Sequence, residues 1–183
     1  MSWTLPNALT VARVLAAPLV ALAFLLFERP AADRLALALF LAAALTDFLD
    51  GWLARRLGQF SAFGQMLDPI ADKAMVTIAL GVLLAISGPD WRLVLPAVAI
   101  FLREVLVSGL REFLGDIKLP VTPLAKWKTA SQMVAIGLLF AEPAFGLPAG
   151  GGLVLLWLAA ILTIVTGADY LRKAMPHLER RES

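Results

Sequence analysis

Long apolar runs decide what this chain can fold into. Inside a bilayer every backbone N–H and C=O needs a protein partner, so a run of about 20 apolar residues crosses as a helix. Six such runs fit into the 183 residues. The first ends near Phe27, with Asn7 as its expected N-cap and Pro6 excluding an earlier start. The next three span residues 34–57, 68–86 and 91–114, the fifth follows Lys126-Trp127-Lys128 to Ala141, and the sixth ends near Tyr170. Pro and Gly punctuate the turns between them, and residues 171–183 form a polar, basic tail. With 60% hydrophobic and 16% charged residues, the chain reads as an all-α membrane protein. The expected architecture is six transmembrane helices in one domain, residues 1–183, with a polar cavity at one membrane face. The opening MSWTLPNALTVARVLAAP has no basic segment before its apolar run, so it reads as a retained helix rather than a signal peptide.

Charge and cysteine content exclude some classes of function. Cys is absent, which removes disulfides and thiol nucleophiles. A net charge of +2 gives no electrostatic case for nucleic acid. The distribution of charge is more telling. With six spans, Arg29, Arg34 and Arg92 fall on one side, and the other thirteen of the sixteen Lys and Arg fall toward the side holding both termini. The positive-inside rule makes that side cytoplasmic.

Between the second and third runs lies DFLDGWLARRLGQFSAFGQMLDPIAD, residues 47–72, with four carboxylates in an apolar setting. Asp47 and Asp50 are three apart, and Asp68 and Asp72 four apart, so on helices each pair shares a face. Two helix ends joined by a tight turn would bring the four together. Gly51, Ala54 and Gly58 keep bulk off that face, which lets a ligand approach the backbone. Carboxylates beside membrane spans are expensive unless they serve a function. Oxygen donors without Cys or a nearby His suit hard cations, Mg²⁺ or Mn²⁺, rather than Zn²⁺. Arg55, one turn beyond Gly51, could clamp a phosphate.

The spacing Asp47-x2-Asp50-Gly51-x2-Ala54-Arg55-x8-Gly64-x3-Asp68-x3-Asp72 resembles the signature of the CDP-alcohol phosphatidyltransferase family at all eight fixed positions. That resemblance implies an integral membrane enzyme that binds two divalent cations through Asp47, Asp50, Asp68 and Asp72. It implies transfer of a phosphatidyl group from a CDP-linked donor to an alcohol, with release of CMP. The run Pro6-Asn7-x-Leu9-Thr10-x-x-Arg13 is similar to the family's opening. Donor binding is accordingly expected of Asn7, Thr10, Gly51, Arg55 and Ser61. For Arg13 itself two readings stay open, snorkelling to the interface or facing the polar site. The resemblance assigns Asp72 as general base, ionised at neutral pH beside cations. A homodimer is implied by the resemblance alone. His177, the single histidine, lies in the tail and reads as a surface residue.

The acceptor is suggested by cations further along. Arg103 and Arg111 in the fourth run, with Lys126 and Lys128 opening the fifth, exceed what a CDP group needs and suit an anionic acceptor. Arg103 lies well inside its run and is expected to face an aqueous cavity. Lys126 and Lys128 project to different sides of a helix, so one is expected at substrate and the other at lipid head groups. The segments REVLVSGLRE and LAKWKTASQ resemble those of the phosphatidylglycerophosphate synthases, although Ala125 stands where that subfamily usually has Gly. The implied partners are CDP-diacylglycerol, glycerol 3-phosphate and membrane lipid, in a bacterial-type inner membrane with the site facing the cytoplasm. Serine, inositol phosphate or a second lipid are alternative acceptors. A divalent-cation transporter is the reading from another class, but the carboxylates cluster at one end instead of lining the membrane's depth.

Overall fold

The computed structural model describes residues 5–57, 61–115 and 123–182. Those residues form helices and no strand: α1 (Leu5–Leu26), α2 (Ala31–Leu57), α3 (Ala62–Ser87), α4 (Trp91–Leu114), α5 (Pro123–Phe145) and α6 (Gly151–Glu182). Four stretches among them are long and apolar enough to cross a membrane: Asn7–Leu26, Ala62–Ser87, Trp91–Leu114 and Gly151–Leu178. Large apolar side chains such as Leu15, Leu25, Val105 and Val154 point outward, as they do on a protein whose solvent is hydrocarbon. The protein is an all-α integral membrane protein.

Helix ends differ from the sequence expectations for identifiable reasons. Asn7 is not an N-cap, because α1 starts at Leu5. Pro6 permits this, since the first-turn N–H groups have no intrahelical partner to lose. Helix α2 starts at Ala31, not residue 34, and puts Asp33 in its first turn. Asp33 is fully buried there and accepts from Arg29 Nε at 2.8 Å and Nη2 at 3.0 Å. A carboxylate at a helix N-terminus suits the helix dipole. Helix α3 starts six residues before Asp68, because Ser61 caps it: Ser61 Oγ accepts from Gly64 N at 2.9 Å. Helix α5 includes both lysines at its start and continues past Glu142 to Phe145, and α6 continues through the polar tail.

The chain divides into two compact units, Met1–Gly88 with Ile136–Gly150, and Pro89–Ala135 with Gly151–Ser183. In the first, α1 packs against α2 and α3. Its buried stripe is Asn7, Thr10, Arg13, Ala17, Val20 and Ala23, a three-to-four spacing that places all six on one helix face. The stripe is polar for its first half and apolar for the rest. Ala32, Ala36, Phe40 and Ala43 are the buried apolar positions of α2 that follow the same period. Small residues let helix backbones approach where lipid offers no hydrophobic drive for association. Phe140 of α5 is fully buried in this unit against Phe24 and Phe40, with ring centroids at 6.1 and 6.5 Å. In the second unit α4 packs on α6. Trp157 Nε1 donates to the Arg92 carbonyl at 2.9 Å.

Candidate functional site

The polar half of the α1 stripe meets the aspartates. Arg13 is 2% exposed, and its guanidinium serves three of the four motif carboxylates. Nη1 donates to Asp47 Oδ1 and to Asp72 Oδ1, each at 2.5 Å, and Nη2 donates to Asp50 Oδ2. Thr10, also buried, donates to Asp68 Oδ1 at 2.8 Å and lies 3.4 Å from Asp50 Oδ2. A hydroxyl has one proton, so the shorter contact to Asp68 is the bond it makes best. Two residues of α1 therefore gather four carboxylates from α2 and α3. The carboxylates differ in access. Asp50 is nearly closed off, with 6% of its side chain exposed, against 48% for Asp47 and 54% for Asp72.

Asn7 completes this face. Its Oδ1 accepts from Ser61 Oγ at 2.7 Å, so the residue before α3 is tied to the start of α1. Gly64 is required beside that contact, since a Cβ there would lie 2.9 Å from Asn7 Oδ1 and 3.2 Å from Ser61 Oγ. Three of the residues expected to bind donor thus have definite local roles: Asn7 and Ser61 join α1 to α3, and Thr10 orients aspartates. Gly51 and Arg55 lie on α2, but the surroundings of Gly51, the side chains of Ala54 and Arg55 and the whole of Gly58 are outside the described residues.

Do these residues fit divalent cations? The donor set is all carboxylate oxygen, as hard cations require, and a cationic group already sits among it. Among the described residues no three carboxylates converge on one point as they would around an ion. They converge on the guanidinium. The chemistry fits Mg²⁺ or Mn²⁺, and Asp47, Asp50, Asp68 and Asp72 are the residues that would hold them.

A second polar cluster belongs to the other unit. Lys128 is 7% exposed, and its Nζ donates to Glu104 Oε1 at 2.6 Å. Arg103 Nη1 donates to the same oxygen at 3.0 Å. Arg103 reaches this position because Gly167 of α6 leaves room: a Cβ there would stand 2.9 Å from Arg103 Cγ. Among the described residues Arg103 Nε is buried without a partner, as is Thr163 Oγ1. Arg111, more exposed, lies over the Tyr170 ring at 5.6 Å. Lys126 is exposed, so the two lysines do face different surroundings. Of the four acceptor candidates, Arg103 and Lys128 are brought together through Glu104, and Lys126 is not.

Sequence reasoning left Arg13 open between the interface and the polar site, which is where it lies, and did not include Glu104, Gly167 or Tyr170 in the candidate site. Arg13 carried a signal, since it continues the period of Asn7 and Thr10. Glu104 carried a weaker one, as an acidic residue beside Arg103 in an apolar run. Gly167 and Tyr170 are marked only by the packing of α4 on α6.

The profile of the CDP-alcohol phosphatidyltransferase family matches residues 3–165. A CDP-diacylglycerol–glycerol-3-phosphate 3-phosphatidyltransferase of Cereibacter sphaeroides is 49% identical over 218 aligned positions, covering 98% of this chain and 99% of that protein. The protein of the same name from Rickettsia bellii is 43% identical, with 92% and 93% covered. A CMP-forming cardiolipin synthase of Oryza sativa is 41% identical over 93% of this chain and 57% of its own length.

Proposed function

Since the chain belongs to the CDP-alcohol phosphatidyltransferase family, we propose that it transfers the phosphatidyl group of CDP-diacylglycerol to sn-glycerol 3-phosphate. The products are phosphatidylglycerophosphate and CMP. The observation that carries this is the meeting of four motif carboxylates, from two helices, on two polar residues of a third. Near-full-length relatives bearing the name of that activity support the choice of acceptor.

In the proposed reaction a hydroxyl oxygen of the acceptor bonds to the phosphatidyl phosphorus, and that phosphorus parts from the oxygen of the departing CMP. The hydroxyl proton goes to Asp72. Its carboxylate is suited to this by being more than half exposed. Asp50, almost wholly enclosed, suits a holding role instead. Two divalent cations, when bound by the aspartates, would neutralise the donor's diphosphate and stabilise the leaving CMP. Gly51 and Arg55 are assigned to the donor, with Asn7, Thr10 and Ser61 shaping that face. Arg103, Arg111 and Lys128 are assigned to the acceptor's phosphate, and Lys126, being exposed, to lipid head groups. The site faces the cytoplasm in a bacterial-type inner membrane of six spans, on the positive-inside argument, and the protein works as a homodimer.

The rice relative supports a second reading, with the same CMP-forming chemistry and a lipid as acceptor. The test is to supply purified protein with CDP-diacylglycerol, Mg²⁺ and one alcohol at a time, following CMP and the lipid product. CMP that depends on glycerol 3-phosphate is expected. CMP formed only with phosphatidylglycerol would favour the second reading, and none with any alcohol would overturn both.

A further inference from the structure

We propose that Arg13 is a built-in counter-ion of the aspartate cluster that competes with the divalent cations for the same oxygens. It then sets both the stability of the cation-free site and the affinity of that site for metal. The inference rests on the reading of the aspartates as metal ligands, and concerns a residue that reading does not use.

Four carboxylates and one guanidinium leave three negative charges of the cluster unbalanced by Arg13. A buried or half-buried carboxylate beside others of its kind is unfavourable unless a cation offsets it. Arg13 supplies one such charge and shares it among three of them by hydrogen bonds, because its N–H donors diverge in a rigid plane. That same plane spaces the oxygens for hydrogen bonds, at 2.5 Å from Nη1 for Asp47 and Asp72. Metal–oxygen bonds to Mg²⁺ are near 2.0–2.1 Å with octahedral directions. The guanidinium occupies the point on which Asp47 Oδ1, Asp72 Oδ1 and Asp50 Oδ2 converge, so a cation held by those same three oxygens takes its place. Turning toward an ion means leaving Arg13, so each binding event weakens the other. The guanidinium's Nε, buried without a partner among the described residues, adds no bond that would hold the group in place once those are released. Asp68 is held instead by the Thr10 hydroxyl.

The experiment follows thermal unfolding of the detergent-solubilised full chain, stripped with EDTA and then titrated with Mg²⁺. Wild type, Arg13→Gln and Arg13→Lys are compared. Arg13→Gln should unfold at a lower temperature in EDTA, and its half-maximal Mg²⁺ stabilisation should need about tenfold less Mg²⁺, the scale of one charge-assisted contact removed. Arg13→Lys retains the charge without the fork, and should restore most of the wild-type Mg²⁺ requirement. If Arg13→Gln does not stay folded in EDTA, Mn²⁺-loaded protein is challenged with a chelator series, where the variant should hold Mn²⁺ against about tenfold more chelator. A wild-type response that Arg13→Gln leaves unchanged or weakens overturns the inference and leaves the metal reading standing. A wild type that responds to neither Mg²⁺ nor Mn²⁺ overturns the metal reading, and this inference with it.

Discussion

Arg13 lies among three carboxylates in one unit of the molecule, and Glu104 lies between two cations in the other. Each cluster holds one ion of the minority sign, supplied by a helix that also lines the cluster. The burial is reversed. Around Arg13 the minority ion is enclosed and two of its partners, Asp47 and Asp72, are about half exposed. Around Glu104 the majority ions are the enclosed ones: Lys128 and Arg103 are 8% and 13% exposed, against 21% for the glutamate. Like charges gathered in one place need a partner of opposite sign. Where the partner is deeply enclosed it also organises the cluster; where it is more open it neutralises and leaves the geometry to packing, here Gly167 against Arg103.

The largest effect expected from this contrast concerns the open carboxylates. Asp72→Asn should lower kcat by about 10²–10⁴-fold, the usual worth of a general base, while CDP-diacylglycerol binding at saturating Mg²⁺ is retained. Parallel loss of donor binding would make Asp72 a ligand and nothing more, and would erase its distinction from Asp50.

Next in size are the enclosed cations. Lys128→Gln and Arg103→Gln should each raise KM for glycerol 3-phosphate roughly ten- to hundredfold, since a hydrogen bond to a charged group contributes about 1.5–3 kcal/mol. The KM for donor should stay near the wild-type value. Equal loss toward both substrates would show the basic cluster to be structural.

Glu104→Gln should act more gently. It leaves Lys128 and Arg103 without their shared carboxylate, so the thermal midpoint should fall by several degrees, at about 2–4 °C per kcal/mol for a protein of this size. Saturating glycerol 3-phosphate should restore it by mass action. A fall as large as that of Arg13→Gln in EDTA would contradict the reversal of burial described above.

The smallest effect belongs to a pair that encloses nothing. Asp90 caps α4 and pairs with the exposed Arg92 at 3.0 Å, and hydrogen bonds from the Arg92 side chain hold its carboxyl below the ordinary range. A carboxyl with a lowered folded pKa stabilises above its unfolded pKa, and that contribution is lost as pH falls through the folded value. Asn is an equally good cap. Asp90→Asn should therefore lower the unfolding temperature slightly near pH 6, by an amount that shrinks as the pH falls below the ordinary carboxyl range. A large shift at pH 6 would mean that an exposed pair can match the enclosed ones.

Much of the site was legible before folding was considered. The aspartate spacing identified the family motif, and the three-to-four period of Asn7, Thr10 and Arg13 is visible in the chain. The lysines' two-residue separation required different surroundings for Lys126 and Lys128. Helix ends were less legible. Ser61 starts α3 ahead of the motif's second aspartate pair because one hydroxyl can meet one N–H there, while Pro6, which reads as a stop, falls where a missing N–H costs nothing.

By itself the sequence determined the class of fold, the membrane setting and which residue types could meet a diphosphate, because apolar run length and residue period are local properties of a helix. Tertiary structure alone decided which charge neutralises which. Arg13 is closer in sequence to Ala17 than to any aspartate, yet it bonds Asp47, Asp50 and Asp72 across three helices. Lys128 finds Glu104 on another helix, 24 residues away. Hydrogen bonds act over about 3 Å, so pairing depends on where helix packing delivers each side chain, and the spacing along one helix does not encode that.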